Sequence, residues 1–185
     1  CWQHYGFIKS GMTISIPSLP IIDEEYTEQV AVFQSALRAK KGQSFNVVEL
    51  GARWGTWGYR AVRMYQESHG YDAPYNVYFV EPEVPACEAI KAVGERNNIT
   101  YKLDCDIART ENVLKWMESM DHVDLLDIDI QGFEKDIIPA IMQEMNKKAY
   151  RLILGTHTRD IHANTLKLLQ DNGWRIIVET ELGND

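Results

Sequence analysis

The chain has 185 residues, 45% of them hydrophobic and 25% charged. That is the balance of one globular domain, long enough to bury roughly 70% of its unfolded surface without staples. Its 19 Lys and Arg against 27 Asp and Glu leave a net charge of −8, which argues against a nucleic-acid backbone or an anionic membrane as partner. No apolar run approaches the roughly 18 residues of a membrane-spanning helix. Cys1, Cys87 and Cys105 are an odd number without metal-ligand spacing and read as thiols of a reducing, cytoplasmic setting. A chain that opens on Cys1 with no signal-peptide pattern is expected to be trimmed at its start.

Residues 1–20 are weakly patterned and broken by Gly6, Gly11, Pro17 and Pro20, an irregular arm. Residues 21–42 are predicted as a helix. Asp23, Glu24 and Glu25 suit its start, and Tyr26, Val30, Phe33 and Leu37 share one face. Arg38, Lys40 and Lys41 close it before Gly42. Residues 43–185 form the main domain. Strands are predicted over 45–50, 76–80, 99–103, 123–128, 150–154 and 174–178. Helices fall over 57–70, 84–96, 112–120 and 160–170, with one more from 132 onward that Pro139 is expected to split in two. Alternating strands and helices specify an α/β fold, a doubly wound parallel sheet in three layers, α/β/α. The strands are near-continuous apolar runs, as a sheet covered on both faces requires.

Ligands of such sheets sit at the carboxyl ends of the strands, so the residues just past each strand are the candidates. Glu49-Leu50-Gly51-Ala52-Arg53-Trp54-Gly55 follows the first strand, where glycines permit a tight turn and close backbone approach. Arg53 stands where a dinucleotide fingerprint needs its second glycine, which disfavours a nicotinamide or flavin. Acid-x-Gly-x-x-x-Gly instead resembles the S-adenosylmethionine loop of class I methyltransferases. Glu81-Pro82 ends the second strand, and a carboxylate there can accept both hydroxyls of a ribose. Past the third strand, Asp106 is preferred to Asp104 as acceptor for an adenine amino group, with Ile107 packing on the ring. Asp127 and Asp129 end the fourth strand two residues apart and therefore on one side. Glu134 either caps the following helix or joins the site. His157, past the fifth strand, reaches the same edge as Asp129, and an imidazole suits a general base. His162 is placed on a helix surface; His4, His69 and His122 carry no visible chemistry.

Together these elements, over roughly residues 46–178, resemble the FkbM family of S-adenosylmethionine-dependent methyltransferases. Gly51-Ala52-Arg53-Trp54-Gly55 is similar to its D-x-G-A-N-x-G loop, Glu81-Pro82 to its acid–proline pair, and Asp127-Ile128-Asp129-Ile130-Gln131-Gly132-Phe133-Glu134 to its K-I-D-[VI]-[EQ]-G-x-E signature. Glu49, Arg53 and Asp127 depart from the family's Asp, Asn and Lys. The resemblance implies a Rossmann-like class I methyltransferase fold, S-adenosyl-L-methionine as cofactor, and O-methylation of a sugar or small-molecule acceptor. The cofactor would be held by Glu49, Gly51–Gly55, Glu81, Pro82, Asp106, Ile107 and Asp127, with Asp129 or His157 as the proton acceptor. Trp54 or Trp57 is a candidate partner for the cationic sulfur. Because class I members end on an antiparallel sixth and seventh strand, this sheet is expected to lack the last one. Two other readings stand beside it: a metal-assisted transferase with Mg²⁺ on Asp127, Asp129 and His157, and a non-catalytic domain that keeps the cofactor pocket.

Overall fold

Six consecutive buried residues, Phe45–Leu50, form β1, and burial on both faces puts such a strand at the centre of a covered sheet. In the computed structural model, which describes residues 25–180, β1 pairs in parallel with β2 (Tyr75–Val80) on one side and β4 (Leu125–Ile128) on the other. β3 (Lys102–Asp104) lies beyond β2, and β5 (Leu152–Leu154) beyond β4. The order is β3-β2-β1-β4-β5, all parallel. The chain winds outward from β1 to β3, then crosses back to β4, so the switch point lies between β1 and β4. A ligand crevice opens there, at the carboxyl ends.

Among the described residues six helices flank the strands, the first ahead of β1, the last after β5 and the other four connecting them: α1 (Tyr26–Arg38), α2 (Thr56–His69), α3 (Val84–Asn97), α4 (Thr110–Glu118), α5 (Glu134–Lys148) and α6 (Arg159–Asp171). Strand side chains alternate between two cores. Phe45, Val47, Val77, Phe79 and Leu125 meet Val32 and Ala36 of α1, Ala61, Val62 and Tyr65 of α2 and Ile90 of α3. Val48, Leu50, Tyr78, Val80, Leu126 and Ile128 meet α4, α5 and α6 through Val113, Met117, Ile138, Ile141, Met145 and Leu169. Among the described residues no helix is long and apolar enough to cross a membrane.

The structure departs from the sequence reading at several points. The arm over residues 1–20 and the first residues of the helix predicted over 21–42 lie outside the described residues. α1 buries Val32, Ser35 and Ala36, whereas Tyr26, Phe33 and Leu37 of the expected face are exposed; small residues let α1 approach α2 closely. Pro139 does not split α5, which runs unbroken through it. Both Pro139 and Lys135, whose carbonyl loses its helical partner, face solvent, and the buried row Ile137, Ile138, Ile141, Met142 and Met145 holds the helix on the sheet. Residues 174–178 form no strand. Trp174 and Ile176 pack on the core and Trp174 Nε1 donates to Asn146 Oδ1 at 2.7 Å, but an antiparallel pair needs both its members, and the outer edge of β5 pairs with no strand among the described residues.

Cys87 and Cys105, expected as thiols, form a disulfide, their Cα atoms 6.1 Å apart. Nothing in an 18-residue separation announces the pair; parallel β2 and β3 bring the start of α3 beside the loop that follows β3. A crosslink closing a loop of this length contributes about 3 kcal/mol. Cys105→Ser is therefore expected to lower the urea-unfolding free energy by about that amount, and a reductant should do the same to the parent chain but not to the variant.

Candidate active site

The turn leaving β1 is held by two carboxylates. Glu49, within β1 and 2% exposed, accepts the backbone N–H of Gly58 at 2.6 Å and of Trp57 at 3.3 Å. It thereby caps the otherwise unpaired amides at the start of α2. Gly58 permits this, because a Cβ there would stand 2.9 Å from Glu49 Oε2 and 2.5 Å from the Phe79 ring. Glu81, past the end of β2 and 5% exposed, accepts Arg53 N–H at 2.7 Å and Glu83 N–H at 2.8 Å. Arg53 sits in the left-handed region at φ 49°, where the resembling motif carries Asn, a residue more at ease there. Gly51, at φ 77°, packs so tightly that a Cβ would fall 1.8 Å from the carbonyl oxygen of Asp129. Its role is to seat the turn against the end of β4.

The fourth-strand acids separate. Asp127 is 4% exposed and lies in register with Glu49. Burial, with Glu49 beside it, raises its carboxyl well above the usual range, and burial pushes Glu49 up to about 8. Asp129 is half exposed, and its Oδ1 lies 3.1 Å from His157 Nε2 and accepts Gln131 Nε2 at 3.2 Å. Gly155 makes room for it, since a Cβ there would sit 3.1 Å from Asp129 Cγ. The other ring nitrogen of His157, Nδ1, meets Glu134 Oε1 at 3.1 Å. One ligand atom from each of Asp129, Glu134 and His157 falls within 4.8 Å of the others. The two carboxylates, however, engage different nitrogens of one ring, which is the arrangement of a hydrogen-bonded chain more than of a shared chelate.

Glu49, Gly51, Arg53, Glu81, Asp127 and Asp129 border a cleft of about 1610 Å³ that continues along β5. Of the residues singled out from sequence, Glu49, Gly51, Ala52, Arg53, Trp54, Glu81, Pro82, Ile107, Asp127 and Asp129 line it. Gly55 is turned onto Tyr59 and Phe79. Asp106 is engaged by the Arg109 guanidinium and by Ile107 N–H, which hold its carboxyl below the usual range. His157 stands behind Asp129. Trp54 carries the Arg53 guanidinium at 4.5 Å and Trp57 that of Arg60 at 4.9 Å. His162, placed on a surface from sequence, borders the cleft, with Nδ1 on Thr156 Oγ1 at 3.0 Å and Nε2 on Glu179 Oε1 at 3.1 Å. Gln131 and Phe133 also reach the cleft wall; their adjacency to Asp129 was the signal available for them.

A parallel sheet with its crevice at the switch point and helices on both faces is the Rossmann-like fold of methyltransferases, and the comparisons agree. No family model matches the chain. A protein from Jannaschia sp. (strain CCS1) that carries a provisional methyltransferase name is 32% identical over 110 residues, covering 57% of this chain and 36% of that protein. The chain thus spans about a third of the length of that relative. Among solved structures, a precorrin-6y C5,15-methyltransferase from Geobacter metallireducens GS-15 superposes with a TM-score of 0.55 at 15% identity, over 86% of this chain and 76% of that one. The METTL16 methyltransferase domain lacking its N-terminal segment gives 0.53 at 13% identity, over 88% and 79%.

Raised carboxyls leave a signature in stability. The native state keeps a proton on Glu49 up to about pH 8, whereas an unfolded glutamate releases it near 4.5. The stability contribution is therefore complete below about 4.5 and is lost as pH rises toward 8. Glu49→Gln removes this titration. Thermal melts are expected to move in the variant's favour, relative to the parent chain, as pH is raised from about 5 to 8.

Proposed function

We propose that the chain is an S-adenosyl-L-methionine-dependent methyltransferase that O-methylates a sugar or small-molecule hydroxyl. One observation carries this reading: the glycine turn after β1 and the carboxylate past β2 are joined by the Arg53 N–H to Glu81 bond at 2.7 Å and open onto the same cleft at the switch point. Glu81 has two oxygens, each with one backbone donor, and each can accept once more, from the two hydroxyls of a ribose. Ile107 and Ala108 border the same cleft, where the adenine would lie. The shared methyltransferase naming of the sequence relative and of the solved structures supports the cofactor.

When bound, the cofactor supplies an electrophilic methyl group on a sulfonium. Held by Glu81 and the turn Gly51–Gly55, it would offer that methyl to the acceptor oxygen, an O–CH₃ bond replacing the S–CH₃ bond with the sulfur left as a neutral thioether. The chain's share is to hold the acceptor in line and to take its hydroxyl proton. Asp129, which reaches the cleft, and His157, bonded to it, are the groups for that task. A second reading, metal-assisted transfer, draws on the Asp129, Glu134 and His157 group; loss of turnover on chelation would favour it.

Isothermal titration with S-adenosylmethionine tests the cofactor site: binding to the parent chain and none to Glu81→Ala is expected, and equal affinity would overturn the placement. Asp129→Ala is expected to bind the cofactor as the parent does while its formation of the demethylated product, scored over a panel of sugar and small-molecule alcohols, falls about 10²–10⁴-fold.

A further inference from the structure

We propose that Glu134 is a positioning residue for the Asp129–His157 pair: it fixes the imidazole with its proton on Nδ1, so that Nε2 faces Asp129 as the side that exchanges a proton. This deepens the methyl-transfer reading and rests on it. Glu134 is the first residue of α5 and is 0% exposed. The left-handed pair Gln131 and Gly132 folds the chain so that its Oε1 accepts Ile130 N–H at 3.0 Å. The same oxygen meets His157 Nδ1 at 3.1 Å, while Oε2 is buried with no hydrogen-bond partner. An oxygen that already accepts a backbone N–H faces the ring as an acceptor as well.

A neutral imidazole has one N–H to give. Two carboxylates ask for it, and their situations differ: Asp129 is 52% exposed at its side chain, Glu134 0%. Water can satisfy Asp129. Glu134, without the ring N–H, would keep only Ile130 N–H as a donor for a carboxyl group that is 0% exposed. The proton therefore belongs on Nδ1, donated to Glu134. Nε2 then turns its lone pair toward Asp129 Oδ1 at 3.1 Å, a separation that one proton can bridge. The proton taken from an acceptor hydroxyl fits that position. It arrives on Asp129 or Nε2 as the O–CH₃ bond forms and leaves to solvent through the exposed side of Asp129, while the Nδ1–H on Glu134 does not move.

The tautomer can be read without any acceptor. Long-range ¹H–¹⁵N spectra of the histidine-labelled chain, recorded at alkaline pH where the ring is neutral and assigned by the signals missing from His157→Gln, should show Nδ1–H for His157. Glu134→Gln, which keeps an accepting oxygen, should retain it. Glu134→Leu should switch the ring to Nε2–H on Asp129. An Nε2–H tautomer in the parent chain, or an unchanged Nδ1–H in Glu134→Leu, overturns the proposal. Should the Leu variant fail to fold, the parent and Gln spectra decide. Titration with S-adenosylmethionine on the same samples separates the two layers. Intact binding with the wrong tautomer removes Glu134's role alone, whereas absence of binding to the parent chain overturns the methyl-transfer reading beneath it.

Discussion

A carboxylate taken out of water has to be met by donors, and at the top of this sheet the donors are backbone amides. Glu81 gathers Arg53 N–H and Glu83 N–H, so one side chain ties the turn after β1 to the entrance of α3. Glu49 gathers Trp57 N–H and Gly58 N–H and ties β1 to the start of α2. A hydrogen bond to an ionised acceptor contributes about 1.5–3 kcal/mol, a figure that does not extend to Glu49, whose carboxyl burial pushes up to about 8. A left-handed non-glycine residue costs about 1–2 kcal/mol, so the bond to Glu81 is enough to hold Arg53 where it is. The geometry of the cleft depends on these contacts more than on the identities of the loop side chains, because the groups bound are main-chain groups.

The same economy sets the far wall. Seating the turn requires Gly51 against the Asp129 carbonyl, and seating the Asp129 carboxylate requires Gly155 beside it. The two positions without side chains therefore bring three strand ends, those of β1, β4 and β5, within contact of one another. Strand parity then sorts the acids. Glu49 and Asp127 continue the rows that bury Phe45, Val47 and Leu125 toward α1 and α2, and they are desolvated. Asp129, one residue past β4, escapes the strand and meets solvent and His157.

Much of this was legible in the chain itself. Parallel strands covered on both faces have to be continuous apolar runs, and β1, β2 and β4 stand where such runs were seen. Strand ends have to carry the polar groups, and Glu81, Asp127 and Asp129 announced themselves by interrupting those runs. What failed did so for reasons outside local sequence. On α1 the large residues Phe33 and Leu37 suggested one face, but close packing on α2 selects the small residues Ser35 and Ala36 instead. Pro139 breaks an isolated helix, yet a buried row of Ile and Met outweighs one missing bond on the solvent side. Residues 174–178 alternate like a strand, yet among the described residues no strand pairs with them. The Cys87–Cys105 bridge and the Glu134–His157 contact, 18 and 23 residues apart in the chain, depend on lateral strand order, which no local pattern encodes.

Charge gives the cleft a consistent logic under the proposed reaction. A sulfonium is cationic before transfer and neutral after it, so negative charge around it stabilises the reactant more than the transition state, in which that positive charge is already fading. Binding the ground state too well raises the barrier. Of the acidic side chains that border the cleft, four, Glu49, Glu81, Asp127 and Asp129, stand at or just past the strand ends, and all of them ionised would do that. Burial moderates the effect: it raises both Glu49 and Asp127 above the ordinary carboxyl range, which lowers the negative charge nearest the switch point at neutral pH. Glu81 accepts two backbone amides, and Asp129, further out, is half exposed to solvent. Trp54 and Trp57 carry the chain's own Arg53 and Arg60 guanidinium groups, so their ring faces add little further attraction for a second cation. At the buried ends of β1 and β4 the cleft is thus acidic in composition but restrained in charge, which is what the proposed reaction asks of groups close to a sulfonium.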